Sequence, residues 1–156
     1  MLTKTGVYTQ EFKERKSGNK RYVLYPPVIK LENGNVVIVE RVEYHRQTNK
    51  LVLQYTDDTE LLRQTVTYLS KYYEYMKIYN ETGNQTALTQ AASFLLKLRE
   101  LYGDDFDIMH LEQYKQLIIN DYKNEYSLET LVEQTKLNPV LIKAVLVLEG
   151  KLKVSL

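Results

Sequence analysis

The chain of 156 residues contains no cysteine. Disulfides, thiolate nucleophiles and cysteine-ligated zinc are therefore excluded, and a reducing compartment suits the protein best. Histidine is scarce, with only His45 and His110. No apolar run approaches the ~18–20 residues needed to cross a membrane. The opening MLTKTGVYTQEFKERK lacks a hydrophobic signal core. These absences lead to the expectation of an intracellular, cytoplasmic protein with no membrane partner. A glycine-rich phosphate loop, GxSxG and HExxH are also missing. The expectation is thus a binding protein with no catalytic residues, metal or cofactor.

Hydrophobic residues make up 44% and charged residues 26%, ordinary values for a folded chain. The net charge of +1 hides a split. Residues 1–55 hold ten Lys/Arg against five acids, whereas 56–156 hold eleven against fifteen. A basic first third is the better electrostatic candidate for nucleic acid. Lys13, Arg15, Lys16, Lys20 and Arg21 flank the flexible Ser17-Gly18-Asn19, and Arg41, Arg46 and Lys50 extend the set. These eight are the candidate nucleic-acid-binding residues, with Tyr22, Tyr25 and Tyr44 as rings that could stack on bases. The competing reading is that lysines blunt an exposed sheet edge.

Residues 1–20 read as a basic arm or a short edge strand. Residues 21–56 are rich in Val, Ile, Tyr and Leu and predict an antiparallel three-stranded meander, roughly 21–31, 35–45 and 50–56. Asn33-Gly34 predicts a two-residue hairpin turn with positive φ at both positions. HRQTNK at 45–50 predicts a longer turn. On the second strand, strict alternation puts Val37, Val39, Arg41 and Glu43 on one face and Val36, Ile38, Val42 and Tyr44 on the other. From Asp57 the period becomes helical. Five helices are predicted, near 57–79, 85–102, 108–123, 128–136 and 139–149, followed by a strand-like KLKVSL. Asp57 or Asp58 caps the first, Asp107 the third, Ser127 the fourth and Asn138 the fifth. The fold class is α+β, one compact domain of arm (1–20), meander (21–56) and helical region (57–156).

The segment SLETLVEQTKLNPVLIKAVLVLEGKLKV, 127–154, carries the most specific pattern. A capped helix is followed by the tight turn TKLNP, with Pro139 at the first position of the next helix. Leu131, Val132, Thr135, Leu137, Pro139, Ile142 and Leu146 fall on LxELAxxTGLSPxxVxxALxxLExxGxV, and Leu148, Glu149 and Gly150 lie one to three positions ahead of its LExxG. The segment resembles the helix–turn–helix of the winged-helix superfamily. That resemblance implies two helices at a wide angle, the second one reading DNA. Lys136 stands where the pattern has glycine, and the second helix offers one cation, Lys143, to base edges. Burial or dimerisation is the alternative use of that helix.

The run TVTYLSKYYEYMKIYN, 65–80, holds five tyrosines within positions 68–79. Tyr73 falls on the core stripe with Leu62, Val66, Leu69 and Met76. Tyr68, Tyr72, Tyr75 and Tyr79 form a second stripe and are the candidate protein interface. DDFDIMH ahead of His110, Glu40 with Glu43, and Asp57, Asp58 and Glu60 are the sets a metal-dependent nuclease would draw on. Helix capping and ordinary surface polarity account for the same residues. Two functions emerge. One is a small DNA-binding protein, regulatory and of viral or mobile-element type. The other is an interaction module or inhibitor that docks on a host protein or on a second copy as a homodimer.

Overall fold

β-branched and aromatic runs in the first third form strands, and the 3.6-residue period after Asp57 forms helices. The computed structural model describes residues 2–8, 27–123 and 125–156. Its strands are β1 (Leu2–Tyr8), β2 (Val28–Lys30), β3 (Val36–His45) and β4 (Lys50–Asp57). They make one antiparallel sheet in the order β1-β4-β3-β2. The predicted meander is β2–β3–β4. β1 adds a fourth strand at the sheet edge, within the stretch read as a basic arm or a short edge strand, and pairs along β4 from Leu2↔Asp57 to Tyr8↔Leu51. Residues 21–26 of the predicted first strand lie outside the described residues, as do Tyr22 and Tyr25.

The first turn differs in detail from expectation, and the second falls where it was expected. Leu31 N donates to Asn35 O and Gly34 N to Leu31 O, so three residues, 32–34, connect β2 and β3. Only Gly34 has positive φ, +86°. Asn33 instead uses its side-chain oxygen to accept from Asn35 N at 2.9 Å. The turn is thus the three-residue kind with glycine at the left-handed position. The second turn spans Arg46–Asn49, with Asn49 left-handed at φ 51°.

A β-bulge corrects the predicted faces. Val39 pairs with Tyr55 and Arg41 with Gln54, so Glu40 is the extra residue. One inserted residue reverses the alternation beyond it. Val42 and Tyr44 therefore join Val39 and Leu53 in one apolar cluster with Ile29. Arg41, Glu43 and His45 take the opposite face, across from Gln54, Val52 and Lys50.

Five helices follow: α1 (Thr59–Thr82), α2 (Gln85–Tyr102), α3 (Ile108–Asp121), α4 (Glu125–Thr135) and α5 (Pro139–Leu148). A 3₁₀ turn, Gly103–Asp105, links α2 to α3. Asn84, Asp107 and Asn138 cap α2, α3 and α5 through their side chains. Ser127 sits inside α4, which starts two residues earlier than its predicted cap. KLKVSL forms no strand; its Ser155 N donates to Asn33 O over the first turn. The main core joins Val28 and Val36 of the sheet to Leu62, Leu69, Leu98, Leu111 and Ile118 and to most of α5. None of the described helices is long and apolar enough to cross a membrane.

Lys136, in the glycine position of the helix–turn–helix pattern, takes φ +60°, and its N–H donates to Val132 O at 3.0 Å. A non-glycine residue in this region costs roughly 1–2 kcal/mol, part of which glycine would give back as chain entropy. Lys136→Gly should therefore stabilise the fold by about 0.5–1 kcal/mol, read as a higher urea midpoint. An unchanged or lower midpoint would contradict the strained turn.

Candidate nucleic-acid interface

The helix that the winged-helix resemblance implies would read DNA is the most buried of the described helices. Seven consecutive residues of α5, Val140 to Leu146, are buried. The helix packs against α1, α3 and α4. A recognition helix needs one dry face and one wet face carrying donors and acceptors. α5 has no wet face before its last turn.

Lys143, the only cation of that helix, has no exposed surface. Its ammonium ion-pairs with the Asp58 carboxylate through Oδ2. It also donates to Val36 O at 2.8 Å and to Asn35 Oδ1 at 3.4 Å. An ammonium has three protons, and all three have acceptors. Asn35 donates to Asp58 Oδ1 at 2.7 Å and to Thr59 Oγ1 at 3.1 Å. Asp58 was predicted to cap α1, but its side chain makes no capping bond. The carboxylate is turned inward, and Asp57 Oδ1 takes Thr59 N at 3.1 Å in its place. Burial holds the Lys143 ammonium below the ordinary lysine value, against the pull of Asp58.

The candidate basic residues divide into two groups. Lys13, Arg15, Lys16, Lys20 and Arg21 lie outside the described residues. Arg41, Arg46 and Lys50 come together around the β3–β4 hairpin, and all three are exposed. Arg41 is engaged with Glu43 at 3.0 Å, and His45 lies 3.6 Å from the same carboxylate. Arg46 and Lys50 make no ion pair with any described residue. Tyr44 is half-buried, and its hydroxyl donates to Asn49 Oδ1 at 2.6 Å.

The second tyrosine stripe is largely covered inside the chain. Tyr68 and Tyr75 meet Phe94 of α2 at 6.1 and 5.9 Å, the latter stacked. Tyr72 meets Tyr73 at 5.3 Å, and Tyr79 is half-buried near the end of α1. Tyr73 packs on the main core, donates to the Glu112 carboxylate and receives Lys115 over its ring at 4.1 Å.

The carboxylates and histidines have structural partners. Glu40 accepts from Thr56 Oγ1, and Asp107 caps Met109 N. His110 Nε2 lies 2.9 Å from Thr135 O, and its ring meets Tyr114 edge-on at 5.1 Å. Among the described residues, no group of three or more His, Asp or Glu is placed to hold a metal. The residue that sequence reasoning misplaced is Lys143. Its isolation in an apolar helix was a signal for a buried charge, but its partner lies 85 positions away.

The chain matches no protein-family model, no curated protein and no solved structure. The arrangement of its own residues carries the functional argument.

Two stability predictions follow from these buried groups. Lys143→Met leaves the Asp58 carboxylate buried without its cation and should cost about 3–5 kcal/mol, whereas adding Asp58→Leu should recover most of it. Urea denaturation of the single and double variants checks this; equal losses in both would refute it. Burial raises the Tyr73 hydroxyl above 10.0, helped by Glu112, and burial raises Tyr102, with the Asp58 charge adding to it. A group raised on folding gives stability that is full below its unfolded value and lost as pH climbs past it. Lys143, lowered on folding, acts with the opposite sign up to its ordinary 10.5. The urea midpoint should fall once the pH passes about 10.5, and Tyr102→Phe should make that fall shallower. A wild-type midpoint that does not drop there would contradict the buried phenols.

Proposed function

We propose that this protein binds nucleic acid through the tip of the β3–β4 hairpin together with the basic N-terminal third, and not through α5. One observation carries the reading. Residues 45–50 are exposed throughout, and they present Arg46 and Lys50 with no acidic partner among the described residues. No acid occurs between Glu43 and Asp57. The excess of ten Lys/Arg over five acids in residues 1–55 adds long-range attraction. DNA is the first expected target, and an intracellular regulator is the role that suits it.

A second reading has its own support. Leu96 on α2 is 60% exposed, and Met109 at the start of α3 is 72% exposed. Large exposed apolar side chains suit docking on a protein, either a second copy or a host protein. Sizing with light scattering, at high concentration and without DNA, distinguishes this reading by the mass it returns.

The nucleic-acid reading is tested by fluorescence anisotropy of a labelled mixed-sequence duplex at about 50 and 200 mM salt. Affinity should fall with salt, and Arg46→Ala with Lys50→Ala should reduce the log–log salt slope by about 1.8, near 0.9 per lost phosphate contact. No measurable binding at the lower salt would end the reading.

A further inference from the structure

We infer that the nucleic acid taken by this tip is duplex DNA, with the Arg46 side chain of the Arg46–Asn49 turn entering the minor groove, and not a single strand; this rests on the nucleic-acid reading above. Single-strand binders offer exposed rings on which bases stack, inside a positive groove that follows the backbone. The sheet offers neither among the described residues. Tyr55 is buried, and Tyr44 is turned onto the apolar cluster and tied to Asn49. The bulge at Glu40 is the cause. Without it Tyr44 would stand on the same face as His45 now does.

The polar face itself resists a strand laid along it. Glu43 sits between Arg41 and His45, and Arg41 is engaged with it. On this hairpin, phosphate contact is therefore left to the chain beyond Glu43, that is, to the turn and its two flanks. The turn is four residues long and is fixed by left-handed Asn49 and the Tyr44 bond. A two-stranded ribbon fits the major groove, at about 12 Å, and is too wide for the minor groove, at about 6 Å, so the arginine side chain alone enters. The negative potential of a narrow minor groove attracts an inserted arginine. Arg46 is the first residue of the turn, with the paired His45 and Lys50 behind it toward the phosphate walls. A single arginine in that position reads groove width more than base identity, so A-tract duplexes should be preferred.

The test is competition anisotropy on the full chain at one low salt concentration. The competitors are a mixed-sequence duplex, its separate single strand and an A-tract duplex. The duplex should bind at least tenfold tighter than the single strand, and the A-tract tighter still. Arg46→Ala should weaken duplex binding by about tenfold and leave weak single-strand binding unchanged. Circular dichroism of the variant guards against loss of fold, and Arg46→Lys should keep duplex binding while losing the A-tract preference. Single-strand binding as tight as duplex binding would overturn the inference but leave the nucleic-acid reading standing. Duplex binding indifferent to Arg46→Ala would overturn the site. No binding to any of the three would overturn both the inference and the reading beneath it.

Discussion

An ammonium group with no exposed surface must be matched by acceptors or it cannot stay charged. Lys143 meets that requirement with three acceptors from two other parts of the chain: Asn35 and Val36 beyond the first hairpin turn, and Asp58 where β4 passes into α1. The desolvation of both ions costs several kcal/mol each, so an apolar pair of similar volume would come close to the same stability. What the ion pair adds is direction. A leucine at position 143 could settle against many apolar neighbours, whereas an ammonium accepts one arrangement of oxygens. The sheet's near end, the first turn of α1 and α5 are therefore fixed against one another by a single group. The same demand explains the start of α1, where Asp58 is drawn inward and Asp57 takes over the local backbone bond.

Much of the architecture was legible because it is local. The caps at Asp107 and Asn138 and the 3.6-residue stripes are written within a few positions of where they act. The polar-poor composition of α5 also announced its burial, since a helix apolar all round belongs in a core. The features that escaped are those settled across the fold. An edge strand was one reading of residues 1–20, but its partner lies some fifty positions away, and nothing in LTKTGVY announces that pairing. The bulge follows the continuous apolar run Val36–Val39, which has no alternation to set a face. Asp58 looked like a cap because caps are judged by neighbours, and its true partner is on the last helix.

The tyrosine-rich helix illustrates how packing within one chain can account for an apparent excess of aromatic surface. An amphipathic helix with one neighbour needs one stripe. α1 has α5 beneath its Leu62 and Leu69 side, α2 over Tyr68 and Tyr75, and Glu112 and Lys115 of α3 against Tyr73. The apolar arc is wide because several neighbours share the helix. Phenol rings suit that edge, since the ring is covered while the hydroxyl reaches a polar group.

Helix–turn–helix order and helix–turn–helix chemistry part company here for a steric reason. The order needs only a capped start, a left-handed turn residue and an apolar stripe, and Asn138, Lys136 and Ile142 with Leu146 supply them. Reading DNA needs in addition that the second helix keep a polar side out of the core. In this chain α1 occupies α5 while the first hairpin turn takes hold of its only cation. Freeing that helix for DNA would dismantle the contacts that join sheet and helices. The resemblance therefore describes a packing solution. Any contact with a polyanion is left to surfaces that the core does not require, and among the described residues the tip of the β3–β4 hairpin is one basic surface that meets that condition.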